Sequence, residues 1–346
     1  MAKLTAIALF ALSGLAYAQV PPDREQVFAV PAELRERVQT QVVERARTPE
    51  QRLQLLIEFM FAPDGMALEY DRQTTLSVEE TWRLRRGNCL SFTLAFVTLA
   101  RAVGVEAYAQ EVDQVLAWIE QDGTIFHSGH INAGVRIQGR RYTVDFDRSV
   151  VATRGRPRIV DDHRALAHLY NNRGAELLAQ GDHAGARAFF DAALARDVGF
   201  AAAWNNLGVL QLRVGDPEGA ERAYFAALAH DSEHLPTLTN LTSLYRAQGR
   251  AGRLAEYEHR MLEVQRRDPF HNFILGLEHE RRGEFAAAAD YFQRAIRLHD
   301  GEFRFHLALA RVYQEMGELR RAERSLERAE LLSQRGGGAH QRRLRH

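Results

Sequence analysis

The chain has 346 residues, enough for about two domains of ~150 residues each. Lys plus Arg and Asp plus Glu both number 45, so formal charge is zero, which argues against a broad nucleic-acid or anionic-membrane footprint. A single Cys excludes an intramolecular disulfide framework and a Cys-rich zinc site.

Lys3 is followed by an apolar run from Leu4 to Leu12, broken only by Thr5, and then by Ala16-Tyr17-Ala18 before Gln19. This is the pattern of a secretory signal peptide over residues 1–18, and it places the mature chain in the periplasm or outside the cell. The run is too short to span a bilayer, and no later stretch is long enough, so no integral membrane segment is expected after cleavage.

Residues 19–160 form the first expected domain. Thr48-Pro49-Glu50-Gln51 reads as a helix start, with Leu53, Leu56, Ile57 and Met60 on one face. A second short helix is expected over Leu76 to Arg85. Next comes Gly87-Asn88-Cys89, then an apolar helix from Leu90 to Val103 that stops at Gly104. Val105 to Val112 has the period-2 rhythm of a strand. Cys89 therefore begins a buried helix, where backbone amides favour a thiolate and can donate to an oxyanion. The bland alternative is a small buried hydrophobe.

Before residue 163 the only histidines are His127 and His130. Ile131 to Ile137, Gln138-Gly139 and Arg140 to Asp147 read as a β-hairpin with a two-residue turn. In that register Ala133 faces Val144 and Val135 faces Tyr142, so the apolar faces agree. The other face carries His130 across from Asp147 and Asn132 across from Asp145, and diagonal neighbours lie within ~7 Å. A thiol, an imidazole and a carboxylate are the parts of a nucleophile, its base and the group that orients the base. His127 and His130, three apart on a strand, point to opposite faces and make a poor metal pair, so no metal or other cofactor is expected.

Gly87-Asn88-Cys89, His130 at a strand start and Tyr142-Thr143-Val144-Asp145 resemble, in order, the Cys, His and Asp blocks of the transglutaminase-like superfamily of papain-type thiol enzymes. The resemblance covers roughly residues 50–150. It implies an α+β papain/transglutaminase-like fold, Cys89 as nucleophile, His130 as base and Asp145 as third member. Asp147, opposite His130 in the register, is held in reserve. Asn132 stands where many members have an aromatic residue. The oxyanion donor stays open among Trp82, Asn88 and Gln73.

Residues 161–336 repeat with a period of 34. Gly181, Gly215, Gly249, Gly283 and Gly317 are in phase, as are Ala186, Ala220, Leu254, Ala288 and Ala322. Gly174, Gly208, Thr242, Gly276 and Ala310 form another column, and Phe190, Tyr224, Glu258, Phe292 and Leu326 a bulky one with one polar lapse. Each unit reads as two amphipathic helices, and stacked units form an all-α solenoid. Trp204, Leu207, Gly208, Ala220, Tyr224 and Ala227 carry a resemblance to the tetratricopeptide repeat. That resemblance implies a protein or peptide partner on the concave face, with Asn172, Asn206 and Asn240 as candidate contacts to a peptide backbone. The alternative for these asparagines is a solvated face or a bond between units. Residues 337–346 are expected to be a disordered basic tail.

The sequence thus leaves two functions. One is an exported thiol hydrolase or acyltransferase acting on an amide bond in a protein or peptide. The other is a non-catalytic scaffold. It gives no oligomeric state.

Overall fold

The computed structural model describes residues 20–112, 114–117, 126–127, 130–146, 150–154 and 157–341. The expected signal peptide, Asp147 and the last five residues lie outside them. The first half contains α1 (Arg24–Val27), α2 (Ala32–Val38), a π turn at Gln39–Val43, α3 (Pro49–Phe61), β1 (Glu69–Tyr70), α4 (Val78–Leu84), β2 (Arg86–Gly87) and α5 (Cys89–Ala102). It continues with β3 (Glu106–Val112), β4 (Gln114–Ala117), β5 (Phe126–His127), β6 (His130–Ile137), β7 (Arg140–Val144), β8 (Val150–Arg154) and β9 (Arg158–Val160).

Local chemistry sets the helix starts. Thr48 caps α3 with Pro49 in its first turn, and Ser77 and Glu80 form a reciprocal capping box on α4. Asn88 caps α5 by accepting from the Ser91 amide at 3.0 Å. Strands β7-β6-β3-β9, in that order, make a four-stranded antiparallel sheet. The hairpin turn is Gln138-Gly139, both at positive φ, and it fixes Ala133 opposite Val144 and Val135 opposite Tyr142. One sheet face sends Ala133, Val135, Ile137 and Val144 into a core with Phe92, Ala95, Phe96 and Leu99 of α5. Parallel β1 and β2 bring the segment before α4 beside the start of α5.

The second half is five helix pairs: α6 (Asp162–Gln180) with α7 (His183–Arg196), α8 (Ala201–Arg213) with α9 (Pro217–His230), and α10 (Leu235–Ala247) with α11 (Ala251–Arg266). They are followed by α12 (Pro269–Arg281) with α13 (Phe285–Leu298), and α14 (Phe303–Glu315) with α15 (Leu319–Gln341). The five in-phase glycines turn each pair at φ between +68° and +83°, a conformation an L side chain rarely adopts. The other glycine column is about space. A Cβ on Gly208 would stand 2.4 Å from the Tyr224 ring, and Gly174 and Gly276 meet Phe190 and Phe292 in the same way. The third repeat lacks that ring, having Glu258, and there Thr242 fits and bonds the Leu238 carbonyl at 2.8 Å.

Two features depart from the expectations. First, α15 continues through Gly336-Gly337-Gly338 to Gln341, where a disordered tail was expected from residue 337. Each Gly costs ~1 kcal/mol of helix propensity, but extending an existing helix needs no new nucleus. Second, the apolar core does not stop between the halves. Val27, Leu90, Leu94, Ala109, Ile131 and Val160 pack in one cluster with Leu166, Leu169, Tyr170, Phe189 and Phe200. The fourth and fifth repeats have a core of their own, around Phe270, Phe273, Phe292 and Phe305. Among the described residues no helix is long and apolar enough to cross a membrane.

Candidate functional site

Cys89 is the first residue of α5 and half-buried. Its own amide lies in the first turn, where no preceding carbonyl of the helix can take it. His130 opens β6, opposite Val112 of β3, and only 5% of its surface is exposed. Its Nε2 lies 2.9 Å from both Oδ1 and Oδ2 of Asp145, just beyond β7. Cys89 is close enough to His130 to act on its charge together with Asp145. The structure therefore brings Cys89, His130 and Asp145 together. His127 lies in β5, in a separate three-stranded sheet.

The electrostatics of this cluster are strongly biased. Burial disfavours a charged His130, but the bonds and charges of Asp145 and Cys89 outweigh it and raise its pKa to about 10. His130 is thus an imidazolium at neutral pH, held against the Asp145 carboxylate.

One contributor was not recognised as such in the sequence. Asn132 shares the sheet face of His130 and donates from Nδ2 to Asp145 Oδ2 at 2.9 Å. Asn132 is 2% exposed, and its Oδ1 meets no hydrogen-bond partner. The nearest signal was the hairpin register, which sets it across from Asp145. Gln110, the next polar residue on this face, bonds Thr143 Oγ1 at 3.0 Å. Gly134 leaves room for Gln110 and the Tyr108 ring.

The three oxyanion candidates fare differently. The Asn88 amide is committed, donating to Thr75 Oγ1 at 2.8 Å while its oxygen caps α5. Trp82 packs on the first core beneath Arg37. Gln73 is exposed on the loop before α4.

The asparagine ladder is engaged within the protein. Asn206 donates to Asn171 Oδ1 at 2.9 Å, and Asn240 donates to Asn205 Oδ1 at 2.9 Å. The column therefore bonds one repeat to the next through the asparagine one position earlier. Asn172 sits half-buried at the head of the column on α6.

Models of the tetratricopeptide repeat match residues 177–245 and 281–336, and a second such model matches residues 244–306. The chain carries tetratricopeptide repeats. Solved structures similar to it include MamA from Desulfovibrio magneticus RS-1, at 15% identity over 50% of this chain and 97% of that one, with a TM-score of 0.28. Others are Pseudomonas aeruginosa PilF, at 23% identity over 49% and 78% of the two chains and a TM-score of 0.29, and YrrB. YrrB, described as a tetratricopeptide-repeat protein with an unusual peptide-binding site, has 20% identity over 51% and 92%, with a TM-score of 0.27. No curated protein matches the chain. These likenesses concern the tetratricopeptide half.

Proposed function

We propose that this protein is an exported interaction scaffold whose tetratricopeptide array holds a protein or peptide partner beside a thiol site at Cys89. The scaffold reading is carried by the array itself. Five stacked helix pairs offer an extended surface, and binding protein partners is typical of such arrays.

A second reading is favoured by His130 interacting with both Asp145 and Cys89. In it the first half is a transglutaminase-like domain and the protein a thiol hydrolase or acyltransferase. The Cys89 sulfur attacks an amide or ester carbonyl, and the first-turn amide of α5 supports the developing oxyanion. His130 gives its proton to the leaving group, and the sulfur keeps the acyl group until water or an amine takes it. Asp145, against Nε2, holds the ring in place throughout.

Pull-down from an envelope extract with wild type and Cys89→Ala separates the two. A scaffold retains the same partners with either protein. An enzyme retains substrates only when Cys89 is replaced. If neither protein retains a partner, both readings are wrong.

A further inference from the structure

The loop before α4 is stitched to two places at once. On one side it carries the cap of α5. Asn88 Nδ2 donates to Thr75 Oγ1 at 2.8 Å, the Asn88 backbone N–H reaches the Thr74 carbonyl, and Ser91 Oγ accepts from the Leu76 amide at 2.8 Å. On the other side it meets the first helix of the array. Glu176 Oε1 of α6 accepts from the Thr75 amide at 2.8 Å.

The polarity of this chain is consistent from end to end. The Asn88 amide donates to the Thr75 hydroxyl, and the Thr75 backbone N–H donates to the Glu176 carboxylate. Asn88 is left with its oxygen toward the Ser91 amide, which is the orientation that caps α5 from the residue just before Cys89. Thr75 is fully buried, so neither of its groups has water as a substitute partner. A second pair on the same helix, Arg173 to Glu80 at 3.0 Å, holds α4 on α6 beside this chain.

We propose that Glu176 is a positioning residue for Cys89: acting through Thr75 and Asn88, it sets the start of α5, and the first repeat is thereby a built-in part of the thiol site. The inference rests on the thiol reading above. It follows that the array does more than bring a partner nearby. Its first helix fixes the angle at which the sulfur meets His130.

The test is the pH profile of Cys89 alkylation by iodoacetamide, measured on the full chain. Glu176→Ala and Thr75→Val, the latter nearly isosteric and lacking the hydroxyl, are expected to slow alkylation at pH 6 by about tenfold, in line with small misplacements at reacting groups. Glu176→Gln and Thr75→Ser keep an acceptor and a hydroxyl and are expected to restore most of the rate. A general loss of stability would lower the melting temperature without this rescue pattern. If Glu176→Ala does not fold, Thr75→Val carries the same test. Folded variants that alkylate like wild type at every pH would overturn the inference while leaving the thiol reading intact. A wild-type rate no faster than that of His130→Ala would remove the thiol reading and this inference with it.

Discussion

Asn132 gives its amide hydrogen to Asp145 Oδ2 at 2.9 Å, one step along the hairpin ladder from the Ala133–Val144 pair. The carboxylate that faces His130 is therefore held from a second direction, by a group on the same strand as the histidine. Asn132→Ala removes that hold. It should reduce Cys89 alkylation at pH 6 by about tenfold, equal to about 1.4 kcal/mol. Asn132→Asp, which sets a second negative charge against Asp145, should reduce it further.

The His130–Asp145 pair also makes a stability prediction with a definite sign. The folded-state pKa of His130 is raised from 6.5 to about 10, mainly by Asp145 and Cys89 against the opposing effect of burial. A raised histidine stabilises the fold fully below its unfolded value, and that contribution is lost as pH climbs through about 10. Thermal melts of wild type and His130→Gln should differ most near pH 6. The gap should narrow steadily toward pH 10.

Glu111 of β3 is the other charged node. Its Oε1 accepts from Arg164 Nε and His168 Nε2 of α6, both at 2.5 Å, and its Oε2 pairs with Arg158 of β9. Burial works against its charge, but the His168 and Arg164 bonds dominate and lower its pKa from 4.5 to about 2. Glu111→Ala takes the carboxylate away from His168 and from Arg164, which keeps Asp197, and should cost about 2 kcal/mol by chemical denaturation. In wild type this contribution is present above pH 4.5 and fades as pH falls toward about 2.

In the array, Gly208→Ala forces a methyl into the ring of Tyr224, which is fully buried. Overpacking of this kind should cost about 1–3 kcal/mol. Thr242→Ala in the third repeat, where residue 258 is Glu, should cost less. Equilibrium denaturation of the two variants checks the difference.

What the sequence revealed follows from the range of the interactions. The repeats were legible because the same steric needs recur every 34 residues: a glycine that turns the pair, and a glycine under a ring. The hairpin was legible because Gln138-Gly139 fixes a register locally, and that register already held His130, Asn132 and Asp145 on one face. The sequence reading left Asp145 and Asp147 as competing third members. The hydrogen bonds go to Asp145, diagonal from His130, while Asp147 lies outside the described residues. Contacts between distant segments carry no such signature. Glu176 meeting Thr75, and Glu111 meeting His168, depend on how α6 docks on the sheet, which no local pattern encodes. The asparagine column was seen, but its inter-repeat bonding depends on Asn171 and Asn205, one position outside the column.

In the proposed thiol chemistry Cys89 works with His130 and Asp145 as one chemical unit. The rate of Cys89 alkylation by iodoacetamide at pH 6, compared between wild type and His130→Ala, tests it most directly. Wild type should react about tenfold or more faster than a free thiol, and His130→Ala should lose the excess. Equal, slow rates in both proteins would contradict the claim.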